Sequence, residues 1–235
     1  EMFSYLLEKQ QLNKIDDSDI DTVIHFIVNC KSVFGDIEIE DDDNYNMIAG
    51  DNESFFLDKL LQYNAFDKYN TDEKQKMFES VLSMQQIEKA DLFFKYQLDV
   101  DINTLNEQGK SAFDMIIKNY TNNHTISVLF KKIIDKNLKH IKTKAMPFLV
   151  NHGFNFNMEN LEAHTPIMQS IRYDMGSLIQ DIIQSGGNLE AKSSIGISAL
   201  DLYEMQNNLS KETNAVIEEY LLKKQSGFTK ENNHR

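Results

Sequence analysis

One cysteine and one nearby histidine are the first residues whose types suggest chemistry: Cys30, the only cysteine of the chain, and His25, as a nucleophile and its base. Five residues apart on one helix, they sit roughly 140° apart around the axis and do not meet, so Cys30 reads as a small core or boundary residue. The six histidines, His25, His124, His140, His152, His164 and His234, contain no pair at i, i+4 and have no cysteine partners, which leaves a zinc site without support. Carboxylates crowd Asp16 to Asp21 and Asp36 to Asp43, and abundance on an acidic surface argues against a dedicated acid–base pair. The second run also lacks the glycine and the twelfth-position glutamate of a calcium loop. No glycine loop suited to phosphate occurs. These residues give no catalytic group, no metal ligand and no cofactor site. The ten methionines and nine tyrosines read as gap-fillers and boundary residues.

Whatever function exists therefore rests on the elements that present the surface. The 235 residues are 41% hydrophobic and 26% charged, with two prolines, nine glycines and one cysteine. That is ordinary globular usage with a helical leaning, and it excludes a disulfide framework and wholesale disorder. There is no apolar run of transmembrane length and no signal-peptide pattern, so the chain reads as soluble and its single cysteine points to a reducing, cytoplasmic setting. Beginning at Glu1 rather than Met, it reads as a processed or truncated piece. The net charge of -13 lies in residues 1–100, with 22 acids against 9 lysines, whereas residues 101–235 are balanced. This field disfavours nucleic acid and anionic membranes and favours a basic partner. Lys131, Lys132, Lys136, Lys139, Lys142 and Lys144 form the opposite feature. They read first as a solvated helix face and alternatively as an anion-contacting face, which steeply salt-dependent binding would reveal.

Apolar periodicity predicts helices over about 2–13, from Asp17 or Ser18 to about Phe34, from Asp51–Ser54 through Leu61, from Thr71 or Asp72 past Leu82, and from about Gln86 to Tyr96. No strand of useful length intervenes. The fold class expected is all-α, with acidic helical residues 1–65 as an N-terminal cap or subdomain, repeats over 66–226 and a polar tail at 227–235.

A repeat carries that division. Thr165-Pro166-Ile167 and Ser198-Ala199-Leu200 are 33 residues apart, as are Gly153-Phe154-Asn155 and Gly186-Gly187-Asn188. An earlier copy runs from Val100-Asp101-Ile102-Asn103 to Gly109-Lys110-Ser111-Ala112, with Asp99 where the glycine would fall. Thr165 is suited to cap a helix, Pro166 to its first turn, and Gly186 to a left-handed helix end. Leu149, Val150, Ile182 and Ile183 are expected to bury between neighbours. The unit 160–192 is 33 residues long; 106–159 carries 21 extra residues, for which a helix over His124–Asn137 is expected; 193–226 is stretched.

Over about residues 90–225 this pattern resembles the ankyrin repeat family, whose units place Gly-x-Thr-Pro-Leu-His before an inner helix and end an outer helix before Gly-Ala-Asp-Val-Asn. Here Ala163 replaces the turn glycine and Met168 the histidine. The resemblance implies an ankyrin-like helical-repeat solenoid that acts as a protein–protein interaction scaffold through hairpin tips and inner-helix faces. By register the contact residues are Glu107, Gln108, Lys110, Lys118 and Asn119; Leu161, Glu162, His164, Arg172 and Tyr173; and Ser194, Ile195, Ile197, Met205 and Gln206. Arg172 and Tyr173 are hot-spot types and the apolar tips have no core duty, although Tyr173 and Ile195 equally suit packing on a neighbouring unit. Worn ankyrin repeats in a chain rich in lysine and asparagine and poor in arginine also resemble translocated effectors of intracellular bacteria. The alternative is an enzyme with its active site in residues 1–65 or in missing N-terminal sequence, the repeats selecting substrate.

Overall fold

A computed structural model describes residues 21–22, 24–25, 27–28, 54–123 and 137–232. The expected helix over 2–13, Cys30, the acidic run 36–43 and residues 124–136, with Lys131, Lys132 and Lys136, lie outside the described residues. Those described are helical, with no strand among them, and the chain divides into two compact units, Glu1–Asp101 and Ile102–Arg235.

In the first unit, residues 21–22, 24–25 and 27–28 are helical, followed by α1 (54–62), α2 (Thr71–Ser83) and α3 (Ile87–Lys95). Asn70 opens α2 with a capping box, its side-chain oxygen accepting from Glu73 N–H at 2.9 Å while the Glu73 carboxylate accepts from Asn70 N–H at 2.8 Å. The core is aromatic, with Phe93 edge-on to Phe66 at 5.9 Å and tilted against Phe78 at 5.7 Å. Lys89 is buried and donates to the Ile27 carbonyl at 2.7 Å. Asp58 joins α1 to α3 by accepting from Lys95 at 2.6 Å and from the Tyr96 hydroxyl at 2.9 Å. Burial pushes its carboxyl up, and those two hydrogen bonds outweigh that and hold it below its ordinary value.

The second unit contains α4 (Ala112–Asn123), α5, α6 (Pro166–Arg172), α7 (Gly176–Gln184), α8 (Ala199–Glu204) and α9 (Lys211–Asn232). Helix α5 starts with residues 137–140, widens into a π turn at Ile141–Ala145 and finishes as Met146–Asn151. Pro147 accounts for the widening: it has no N–H and would press on the Thr143 carbonyl of a regular helix. Met146 N–H instead reaches back to the Ile141 carbonyl. The first helices of successive pairs pack in a row, α4 on α6 and α6 on α8, while α7 packs on both α6 and α9.

Three turns recur with one geometry. In 106–110, 160–164 and 193–197 the first N–H donates to the fifth carbonyl at 2.9–3.0 Å, and the fourth N–H donates to the first carbonyl at 2.7–2.9 Å. The fourth residue is left-handed each time: Gly109 at φ 68°, Ala163 at 59° and Gly196 at 80°. Asn106 and Asn160 add side-chain acceptors for the third and fifth N–H groups. Each turn feeds a capped helix, at Ser111, Thr165 and Ser198, and Asp114 and Asp201 complete the box in the first and third.

Helix ends recur as well. Gly153 (φ 70°) and Gly186 (φ 97°) terminate α5 and α7, and the following N–H closes back on Leu149 and Ile182. The equivalent residue after α3 is Gln97, at φ 52° with Leu98 N–H closing on Phe93, and not Asp99 as the sequence spacing suggests. Two extra residues separate this helix end from Ser111, and Asp99 is itself left-handed at φ 58°.

Other expectations also change. Val150 faces outward, 49% exposed, while Leu149 and Ile182 are fully buried and Ile183 is half-buried. Helix α9 continues to Asn232 through most of the stretch read as a polar tail. Lys142 is exposed, and its ammonium bonds the Ser177 carbonyl at 3.2 Å and lies 3.5 Å from the Asp181 carboxylate.

Candidate partner-binding surface

The tip residues are positioned by main-chain geometry. Leu161 N–H donates to the Gly109 carbonyl at 2.8 Å, linking one turn to the next. Between the following turns Glu159 takes that role, its carboxylate accepting from Ser194 N–H at 3.0 Å and from the Ser194 hydroxyl at 2.6 Å. Behind the tips, asparagines form a ladder. Asn103 donates to the Gly153 carbonyl at 3.2 Å and accepts from Asn155 N–H at 2.7 Å; Asn157 does the same to Gly186 (2.8 Å) and Asn188 (2.9 Å). Each side chain satisfies one donor and one acceptor of the next segment, which fixes the spacing of the turns.

Of the residues expected at the surface, Glu107, Gln108, Lys118, Leu161, Glu162, Arg172, Ser194, Ile195 and Met205 are exposed. Leu161 (78%), Ile195 (60%) and Met205 (65%) are among the most exposed apolar side chains. Lys110, His164, Tyr173, Ile197 and Gln206 are half-buried; Asn119 lies on α4, and its side chain is outside the described residues.

The structure brings four of these polar residues together. Glu162 accepts from Lys110 at 3.2 Å and from Arg172 at 3.0 Å, and His164 Nδ1 lies 3.4 Å from both the Glu162 carboxylate and Arg172 Nη1. The Arg172 guanidinium sits 5.8 Å from the centre of the Tyr173 ring. The Lys110 hydrogen bond holds the Glu162 carboxyl below its usual range against the opposing pull of burial, with the Lys110 and Arg172 charges adding to it. A carboxyl with a lowered folded pKa stabilises the native state above its unfolded value. That contribution disappears as the pH falls through the folded value, and exposure of the cluster keeps it small.

No protein-family model matches this chain, and no curated protein matches it.

A cleft of about 210 Å³ lies in the first unit, lined by His25, Tyr69, Glu73, Lys76, Met77 and Ser80. The Tyr69 hydroxyl donates to Asp21, whose carboxylate also pairs with Lys68 at 2.6 Å. Burial, reinforced by the Asp21 bond, pushes the phenol well above its ordinary pKa, so Tyr69 holds its proton at neutral pH and offers no base. Among the described residues no group of three or more His, Cys, Asp or Glu is placed to hold a metal ion.

A polar centre behind the tips was not legible in the sequence. Asp114 is 9% exposed and accepts from Ser111 N–H (2.9 Å) and hydroxyl (2.8 Å), Asn160 Nδ2 (3.0 Å) and Gln169 Nε2 (3.0 Å). The one legible signal was the Ser111-x-x-Asp114 capping pattern, which predicts the first two bonds only.

Proposed function

We propose that residues 102–235 are a set of ankyrin-like units, and that the tips at 106–110, 160–164 and 193–197, with the exposed sides of α4, α6 and α8, form a binding surface for a partner protein. The observation that carries this reading is the recurrence of one five-residue turn with a left-handed fourth position, each turn leading into a capped helix of a packed row. Support also comes from what the tips carry. Two of the three hold a large apolar side chain, Leu161 and Ile195, out from a hydrogen-bonded framework, and Arg172, bonded to Glu162 of the second tip, and its neighbour Tyr173 are types that dominate interface energetics.

The test is retention of a partner from cell lysate by the full chain and by an Arg172→Ala/Tyr173→Ala double variant. The variant is expected to keep its circular dichroism and melting profile and to lose at least about tenfold in retention, as for the loss of one hot-spot residue. Unchanged retention by the folded variant would reject the assignment of this surface.

A further inference from the structure

We propose that the Arg172 cluster docks an acidic side chain of a partner protein, with Leu161 supplying an adjacent aliphatic contact; this rests on the reading of the surface as partner-binding. The guanidinium is fixed through one nitrogen. Nη1 donates to Glu162 at 3.0 Å and lies 3.4 Å from His164 Nδ1, while Lys110 occupies the other Glu162 oxygen at 3.2 Å. Tyr173 flanks the guanidinium at 5.8 Å. Nη2 and Nε have no hydrogen-bond partner among the described residues, and the side chain is 43% exposed.

A guanidinium with its Nε–Nη2 edge open and its orientation set by a neighbouring carboxylate is arranged to take a second carboxylate in a fork. Lys118 and Arg172 occupy equivalent places, 54 residues apart, on the packed helices α4 and α6. Leu161 distinguishes an acidic peptide from a free anion. It follows the Asn160 turn position, adjoins Glu162 in the chain and is 78% exposed, and a phosphate has no use for it.

The experiment is an NMR titration of the isotopically labelled full chain with N-acetyl-Leu-Glu-amide, N-acetyl-Leu-Lys-amide and inorganic phosphate. The glutamyl peptide is expected to shift the Arg172 Nε–H and Tyr173 ring signals saturably, at least about tenfold more tightly than the lysyl peptide. Arg172→Gln should abolish the response with the rest of the spectrum unchanged, and Leu161→Ser should weaken it about threefold or more. Equal response to the lysyl peptide, no saturable shift at millimolar concentrations, or tighter binding of phosphate than of the glutamyl peptide would each overturn the proposal. A negative titration beside retained capture of a partner that depends on Arg172 and Tyr173 removes the acidic preference alone; loss of both removes the surface reading too.

Discussion

Replacing Asp114 by alanine is expected to lower the unfolding free energy by about 3 kcal/mol, the scale for leaving several buried donors without an acceptor. The carboxylate is buried and accepts four hydrogen bonds from Ser111, Asn160 and Gln169. No ion pair to Asp114 is among the described contacts, so the donors themselves offset the cost of removing the charge from water. Alanine would strand the Asn160 and Gln169 amides in a site closed to solvent and remove the capping partner of Ser111. Asp114→Asn retains one acceptor oxygen but turns an N–H₂ toward other donors, and it should fall between the native chain and the alanine variant. Urea unfolding measures both. A loss under about 0.5 kcal/mol for Asp114→Ala, the level of an ordinary surface substitution, would remove Asp114 from the framework.

The second large effect is expected at Gly176, the first residue of α7, where a Cβ would fall 2.7 Å from the Thr213 nitrogen, 2.8 Å from its hydroxyl and 3.0 Å from the Glu212 carbonyl carbon. Two of these three atoms are backbone, so no flexible side-chain end can swing aside. Helix α9 is also pinned. The Asp174 carboxylate accepts from Ser210 N–H at 3.0 Å, from the Ser210 hydroxyl at 2.9 Å and from the Thr213 hydroxyl at 2.6 Å. Alanine has the better intrinsic helix propensity by about 1 kcal/mol, yet moving α9 off this anchor costs more, and Gly176→Ala should be net destabilising by about 2 kcal/mol. Thermal unfolding checks the sign: a raised Tm would mean that α9 shifts freely and that Asp174 does not hold it.

Local chemistry made much of the second unit legible. Serine or threonine at 111, 165 and 198, proline at 166 and glycine at 109, 153, 186 and 196 each belong to a cap, a first turn or a left-handed position set within a few residues. What escaped was long-range or context-dependent. Asn103 meets Gly153 and Asn155 about 50 residues away, and Asp114 meets Asn160 across the inserted stretch, at separations no short window contains. Gln97 adopts a conformation normally given to glycine, which hid the helix end and shifted the register to Asp99. Val150 belongs to the same aliphatic run as Leu149, and the wider π turn before Pro147 precedes the segment in which Val150 faces out. Among the candidate contacts, register and residue type singled out Arg172 and Tyr173. The bond of Arg172 to Glu162, which Lys110 shares, depends on how neighbouring turns meet and required the structure.

Site-specific photo-crosslinking distinguishes a partner held at the tips from one held elsewhere on the second unit. A photoreactive amino acid would replace in turn Leu161, Ile195 and Met205 on the proposed surface, and Val150 and Leu222, which are exposed on α5 and α9. The partner retained by the native chain is expected to be crosslinked from 161, 195 and 205 and not from 150 or 222. Crosslinks confined to 150 and 222, or distributed equally over all five positions, would contradict it.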